Sequence, residues 1–184
     1  MSPEGDLSSR AAPKAAALLF RALPSKTGIS VPEKRALKDF TQVLSARVAG
    51  SSTFLCLITN DRELHRLNRQ FLGHDYPTDV LSFPTGERSG DLGEMAISIG
   101  RAQEQAALFG HSCFDEIRIL MLHGLLHLIG FDHERDHGQM ARAERKWRAA
   151  LGLPPGLIAR SRQISLRRPA AARAQAPRSK EAKR

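Results

Sequence analysis

The sequence predicts an α+β fold, in which a small mixed sheet packs against helices. Three observations indicate this class. Three or four short apolar strands lie close together, helical segments precede and follow them, and glycine or proline residues mark most of the helix ends. With 184 residues, of which 41% are hydrophobic, the chain is long enough for one domain with a hydrophobic core and too short for two enzymatic domains.

The individual elements follow from the local pattern. Residues 53–59 read TFLCLIT, a β-branched and apolar run that is typical of a buried strand. The polar loop 85–91 separates two short strands, which we expect to pair as antiparallel neighbours. In chain order the sequence predicts a strand within residues 15–23, a helix over 32–50, a strand over 53–59, a helix over 61–73, strands over 80–83 and 95–99, and helices over 101–109, 114–129 and 138–150.

Both ends of the chain differ from the region between them. Residues 1–14 are rich in serine, proline and alanine without periodicity, and residues 155–184 carry nine basic side chains and a single acidic one, Glu181. We predict that both segments are disordered and that one domain spans residues 15–154. The tail accounts for most of the net charge of +9, which favours contact with polyanions.

Several classes of protein are not favoured. Cys56 and Cys113 are far apart in sequence and form no CxxC pair, so neither a disulfide framework nor a thiolate zinc site is predicted. The early apolar run 15–20 is too short for a signal peptide, and no stretch of 18 apolar residues is present. We therefore expect a cytoplasmic protein that has no membrane partner.

The chemistry is concentrated in residues 122–134, LHGLLHLIGFDHE. His123 and His127 are one helical turn apart on the same face, and Gly130 permits the left-handed conformation in which helices often end. The chain can then turn back and bring His133 to the same place. Three neutral imidazoles suit a divalent cation such as Zn2+, and three protein ligands leave a fourth position open for water, as in catalytic sites. We predict one zinc ion at this helix end, with the coordinated water as the proposed nucleophile.

Two other interpretations of these histidines compete with the zinc site. A histidine pair on an apolar helix can consist of hydrogen-bonded core residues, but the leucine and isoleucine side chains around it offer no partners. The spacing H-x3-H-x2-G-x2-H also matches the metzincin proteases. Position 124 is glycine where those proteases carry the glutamate that serves as base, which argues against a peptidase.

The same segment resembles a known family. Residues 123–133, HGLLHLIGFDH, are similar to the HGxLHLxGyDH signature of the YbeY family of bacterial endoribonucleases, also called rRNA maturation factors. Residues 67–84 resemble the second motif of the family, LNxxYRxxDxPTDVLSFP, and residues 93–98 resemble its GDIxIS strand. Met140 and Glu144 fit the spacing of its closing helix. The joint occurrence of these motifs in the correct order makes the resemblance specific.

The resemblance covers about residues 30–153. It implies a mixed four-stranded sheet with about five to six helices, and a zinc ion that is held at a helix end by His123, His127 and His133. It also implies cleavage of single-stranded RNA in the maturation of the 3′ end of 16S rRNA and in ribosome quality control. Single-stranded rRNA and the small ribosomal subunit are the partners that follow from it.

Two positions depart from the family pattern. Leu72 stands where the family carries an arginine associated with RNA cleavage, so one cation is missing from the expected RNA cleft. Glu94 replaces an aspartate in the GDI strand and keeps its charge. Leu72 supports an alternative function, a ribosome-assembly factor with little nuclease activity in which zinc is mainly structural. A zinc peptidase is a more distant alternative.

The sequence identifies no side chain as the general base. Asp132, Glu94 and Glu116 are candidates by residue type. Asp132 also fits a role in its own turn, which we prefer. Glu116 fits the N-terminal end of its helix, about 10 Å from His123 along the axis, where a carboxylate complements the helix dipole.

A basic face of the second helix is the candidate RNA-binding surface. Arg62, Arg66 and Arg69 lie on one side of that helix, away from its apolar residues. They can neutralise the phosphates of a single strand, or they can simply form the solvated side of the helix. The basic tail, residues 155–184, can add nonspecific affinity for RNA.

Overall fold

The computed structural model describes residues 15–24, 27–86, 90–133 and 135–154. Within these residues the elements are β1 (Ala17–Phe20), α1 (Val31–Arg47), β2 (Thr53–Thr59), α2 (Asp61–Leu72), β3 (Val80–Pro84), β4 (Asp91–Ser98), α3 (Ile99–Phe109), α4 (Cys113–Leu128) and α5 (Gln139–Ala150). The two segments predicted to be disordered, 1–14 and 155–184, lie outside the described residues.

The four strands form one mixed sheet in the order β1-β2-β4-β3. Strands β1, β2 and β4 are parallel, and α1 provides the crossover that a parallel pair such as β1 and β2 requires. Strand β3 runs antiparallel to β4 at one edge, with Ser82 opposite Met95. The predicted α+β class, the mixed four-stranded sheet and the antiparallel pairing across the loop are therefore confirmed.

Strand β4 is longer than the sequence predicts. It begins at Asp91, four residues before the predicted start, and Ile99 belongs to α3 and not to the strand. Asp91 and the residues after it have a weak intrinsic preference for strands. Pairing with β2 and β3 on both sides overrides that preference, because Asp91 lies opposite Thr53 and Gly93 lies opposite Pro84. The strand ends at Ser98, whose side chain caps α3.

The larger hydrophobic core lies between one face of the sheet and helices α1, α4 and α5. Phe54, Ile58 and Ile97 contribute to it from the strands, and Leu120 and Leu125 contribute from α4; all five are inaccessible to solvent. Full burial of a side chain of this size stabilises a fold by about 1.5–3 kcal/mol. Helix α4, which carries two of the three histidines, is therefore held firmly in the centre of the domain.

Helix α2 covers the opposite face of the sheet. Leu64 and Leu67 pack there against Leu81 of β3 and Ala96 of β4, and together they form a smaller core. Because the apolar residues of α2 face the sheet, its arginine side is exposed. None of the described helices is both long enough and apolar enough to cross a membrane.

Candidate metal centre and nucleic-acid interface

The C-terminal end of α4 positions the histidine cluster. Gly130 adopts a φ of 97°, in the left-handed region that glycine reaches without strain. The Phe131 N–H donates to the carbonyl oxygen of Leu126 at 3.0 Å, and the Gly130 N–H donates to that of His127, also at 3.0 Å. These two bonds define a Schellman motif, which ends the helix and turns the chain back towards it. His133 follows two residues after this turn.

The structure brings His123, His127 and His133 together. One ring nitrogen of each lies within 4.8 Å of the other two, so the three can hold a single metal ion. Their ring centroids are 4.9, 5.4 and 5.3 Å apart, which makes the cluster nearly equilateral. His123 is buried, His127 is half-buried and His133 is exposed. The cluster therefore has one side in the core and one side open to a substrate.

The donor atoms fit a divalent cation of the zinc type. The Nε2 atoms of His123 and His127 are 3.2 Å apart. Two nitrogens that bind one tetrahedral ion at about 2.0–2.1 Å are separated by about 3.3 Å, so the observed spacing is close to that of a ligand pair. Neutral imidazole suits zinc, copper, nickel and iron, and the cluster alone does not select among these metals.

The surroundings of the cluster favour the neutral form of His127, which is the form that binds a cation. Burial, together with the neighbouring His123 and His133, lowers the pKa of His127 from its usual 6.5 to about 4. A hydrogen bond with the Phe131 backbone and the nearby Asp132 oppose this shift only in part. His127 is therefore neutral at pH 7, and its lone pair is available without the loss of a proton.

Helix α5 closes the buried side of the cluster with a glutamate. Of the residues in α5, only Met140 and Glu144 are buried, and they lie one turn apart on the same face. The Oε2 atom of Glu144 is 3.9 Å from Nδ1 of His123. From the sequence, Glu144 is recognisable only as part of the closing helix. The available signal was a glutamate that shares the apolar face of its helix with Met140.

Gly124 explains why the cluster lacks the glutamate of the metzincin pattern. A Cβ atom at this position would lie 3.1 Å from Sδ of Met95, 3.2 Å from Oγ of Ser82 and 3.2 Å from Cγ2 of Val80. Any side chain here would therefore press against β3 and β4, so the position that carries the base in the metzincin pattern has no room for a glutamate unless these neighbours move.

The acidic candidates for a general base take other positions. Glu116 is fully buried in the first turn of α4, where its carboxylate is 2.5 Å from Nε2 of His111. The backbone carbonyl of Asp132 accepts the N–H groups of Arg135 and Asp136, and its carboxylate lies 3.6 Å from Nε of Arg135. Glu94 lies on β4 opposite Phe83. Among the described residues none of the three is grouped with the histidines as a metal ligand, although Asp132 is close enough to His127 to act on its pKa.

The three arginines share an open groove on α2. Arg62, Arg66 and Arg69, with His65 and Gln70, line a volume of about 490 Å³. The Arg66 guanidinium donates to both carboxylate oxygens of Glu63, at 3.0 and 2.8 Å, and to Gln70 at 2.7 Å. The charge of Arg66 is thus already neutralised by Glu63. The groove itself is open to solvent.

The C-terminal end of α2 exposes apolar side chains. Leu72, the residue that replaces the family arginine, is 50% exposed, and Phe71 beside it is 51% exposed. Tyr76, 56% exposed, stacks on His74 with ring centroids 5.3 Å apart. An arginine at position 72 would therefore extend into solvent at the end of the basic groove.

The chain is similar in sequence to known proteins. A family model described as Endoribonuclease YbeY matches residues 24–152. The Endoribonuclease YbeY of Solibacter usitatus is 51% identical over 148 residues, which cover 80% of this chain and 96% of that protein. The Endoribonuclease YbeY of Nautilia profundicola is 50% identical over 106 residues, 57% of this chain and 76% of that protein.

A solved structure has the same fold. The solution structure of a Thermotoga maritima protein matches with a TM-score of 0.51 and 26% sequence identity. The match covers 71% of this chain and 86% of the Thermotoga chain. Most of this fold therefore has a counterpart in an experimentally determined structure.

Proposed function

Since the chain belongs to the YbeY endoribonuclease family, we propose that it is a zinc-dependent enzyme that cleaves single-stranded RNA. By membership in this family it is a hydrolase that acts on RNA and takes part in rRNA processing. The substrate we assign is single-stranded rRNA, and the process is maturation of the 3′ end of 16S rRNA together with ribosome quality control. The small ribosomal subunit is the partner, and the cytoplasm is the location.

The observation that carries the proposal is the group of three histidines on the turn after α4. We assign His123, His127 and His133 as the ligands of one Zn2+. An ion bound by three protein ligands supplies a Lewis acid for phosphoryl oxygen and lowers the pKa of coordinated water to about 7, which suits phosphodiester hydrolysis. His133 is exposed, so RNA can reach the open side of the cluster.

Other parts of the chain position the metal ligands and bind the RNA strand. Helix α4 holds His123 and His127 in a rigid core, and this limits the rearrangement needed to bind an ion. The groove lined by Arg62, Arg66 and Arg69 binds the phosphates of the RNA strand. We assign no side chain as general base.

Cleavage of a labelled single-stranded rRNA fragment tests this function. We expect the purified protein to cut at low salt, to lose activity after chelation and to recover it with zinc. His123→Ala should remain folded by circular dichroism and should not cut. The nucleophile is either the metal-bound water or the RNA 2′-hydroxyl activated by the ion, and a product that ends in a 2′,3′-cyclic phosphate would exclude direct attack by water. A metal-loaded wild type that does not cut would contradict the nuclease.

One observation favours a second candidate function, a zinc-containing ribosome-assembly factor with little nuclease activity. Leu72 places an uncharged side chain where the family carries an arginine, at the end of the basic groove. If zinc is mainly structural, removal of a ligand by His123→Ala should unfold the protein and not merely silence it. A thermal melt of this variant beside the cleavage assay separates the two functions.

A further inference from the structure

Glu144 is a buried carboxylate without a hydrogen-bond partner in the described part of the chain. The residue is only 4% exposed, and neither Oε1 nor Oε2 accepts a hydrogen bond there. A carboxylate buried in this way is costly unless a donor or a cation compensates it. Buried acidic groups that persist in a fold are usually paired or act on a metal site.

A second unsatisfied group faces this carboxylate. Nδ1 of His123 is also buried and also has no hydrogen-bond partner within the described residues. It lies 3.9 Å from Oε2 of Glu144, so a movement of about 1 Å makes a hydrogen bond. The other ring nitrogen of His123, Nε2, faces His127 at 3.2 Å. The two nitrogens of this imidazole therefore point to different partners.

The position of Glu144 is fixed by its helix. The carboxylate of Asp136 accepts the Gly138 N–H at 2.9 Å and the Met140 N–H at 2.6 Å, so the start of α5 is tied to the turn that carries His133. Met140 is completely buried in the main core one turn before Glu144. The carboxylate is thus presented to His123 from a packed element and not from a mobile surface side chain.

We propose that Glu144 is a positioning residue of the metal centre, which accepts the Nδ1 proton of His123 and so directs the Nε2 lone pair towards the ion. A neutral imidazole carries one N–H, and the group that accepts it determines which nitrogen is left to bind a metal. This inference rests on the proposed function, because it requires the three histidines to bind a metal. It adds to that function the residue that orients the buried ligand.

Metal affinity provides a readout that is independent of RNA cleavage. Competition with a chromophoric chelator measures zinc binding by the wild type, Glu144→Gln and Glu144→Ala. We expect Glu144→Ala to bind zinc 10–100-fold more weakly, as is common when the partner of a ligating histidine is removed. Glu144→Gln should lose less, because its amide oxygen still accepts the Nδ1 proton. The cobalt-loaded forms should show a changed d–d absorption band in Glu144→Ala.

Glu116→Gln is the matched control. Glu116 is the buried glutamate at the other end of α4, and it faces His111, which is outside the cluster. This variant removes the same buried charge from beside a histidine, so we expect its zinc affinity to stay within about twofold of the wild type.

The stability of the metal-free protein gives a second readout, in which replacement of Glu144 should increase stability although it decreases zinc affinity. In the structure Oε2 of Glu144 is 3.9 Å from Nδ1 of His123, too far for a hydrogen bond. We therefore expect Glu144→Gln to raise the urea midpoint of the metal-free protein while it weakens zinc binding. A glutamate that only held α5 in place would lower the midpoint on replacement. Such a lowering, with zinc affinity unchanged, would overturn the positioning role.

The remaining outcomes separate this inference from the proposed function. A wild type that binds zinc with the same affinity as both Glu144 variants overturns the positioning role and leaves the metal centre intact. Equal weakening in Glu116→Gln also overturns it, because the effect is then a general one of buried charge. A wild type that binds no zinc, nickel or cobalt overturns the metal centre itself and the inference with it.

Discussion

The hydroxyl of Ser82 donates a hydrogen bond to the carbonyl oxygen of Gly124, 3.1 Å away, and so ties β3 to α4 one residue after His123. A Cβ atom at position 124 would lie 3.2 Å from that hydroxyl. Strand and helix therefore meet at the backbone of Gly124. This close approach fixes the depth at which the first histidine of the cluster lies in the fold.

Gly124→Ala should destabilise the protein modestly. Alanine gains about 1 kcal/mol of helix propensity over glycine. Against this gain, its methyl group overpacks the contact with β3 and β4, which destabilises the fold by about 1–3 kcal/mol. We expect the free energy of unfolding of the metal-free protein to fall by about 1 kcal/mol in urea denaturation.

The double variant Ser82→Ala/Gly124→Ala is the informative control. Loss of the Ser82 hydroxyl makes room for the new methyl group, so the double variant should be less destabilised than the sum of the two single variants. Strict additivity would show that the contact between these residues is not what limits the size of position 124.

Leu72→Arg should increase RNA affinity without a cost in stability. Position 72 is half exposed at the C-terminal end of α2, where a cation complements the helix dipole. We expect a change in unfolding free energy within about 0.5 kcal/mol. One added phosphate contact should steepen the plot of log K against log salt by about 0.7 for a single strand. Fluorescence anisotropy with a labelled RNA at several salt concentrations measures this slope.

Leu108→Arg is the matched control for Leu72→Arg. Leu108 is 70% exposed on α3, so the variant adds the same charge to another exposed helix position. Its salt slope should equal that of the wild type. Equal steepening in both variants would mean that overall charge, and not the end of the α2 groove, governs RNA binding.

Arg62→Ala/Arg69→Ala should weaken RNA binding in a salt-dependent way. Each arginine that contacts a phosphate contributes about 0.7 to the salt slope on single strands. We therefore expect the slope of the double variant to fall by about 1.4 relative to the wild type. Arg66 is left in place because it is already bonded to Glu63 and Gln70.

A double variant on the opposite side of the sheet has the same change in charge. Arg35 and Arg47 are exposed on α1, which packs on the other face from α2. We expect Arg35→Ala/Arg47→Ala to bind RNA with the wild-type salt slope. If both double variants lose the same slope, the arginines of α2 are only a solvated helix face.

The metal-free protein should lose stability as the pH falls from about 6.5 towards 4. The pKa of His127 is about 4 in the fold, below the usual 6.5 that it has in the unfolded chain. Between these values the unfolded chain binds a proton that the folded chain does not, so protonation favours unfolding. The destabilisation that arises from His127 is therefore absent above about pH 6.5, and it reaches its full, constant value below about pH 4.

Urea denaturation at a series of pH values measures this loss. His127→Gln carries no titrating group at this position, so its stability should depend less on pH between 4 and 6.5. Superimposable pH profiles for the wild type and His127→Gln would contradict the shifted pKa.

Local sequence signals predict most of the helices and strands of the fold. Pro32 marks the start of α1 and Gly73 marks the end of α2, and the structure has both residues at these helix ends. The apolar spacing of α4 predicts its burial, and Gly130 predicts its end. These features depend on residues within a few positions of one another, so the sequence alone reveals them. The resemblance to the YbeY family, which the comparisons confirm, depends on such motifs as well.

Local patterns therefore predict the helices and strands, the mixed sheet and the spacing that lets His123, His127 and His133 converge. Three features become visible only in the folded chain: Glu144 faces His123, Ser82 bonds to Gly124, and β4 starts at Asp91. Each of these depends on at least one partner about 20 to 40 residues away along the chain, such as Thr53 for Asp91. Local propensity carries no information about such a partner, because packing of helices and strands against one another brings the two residues together.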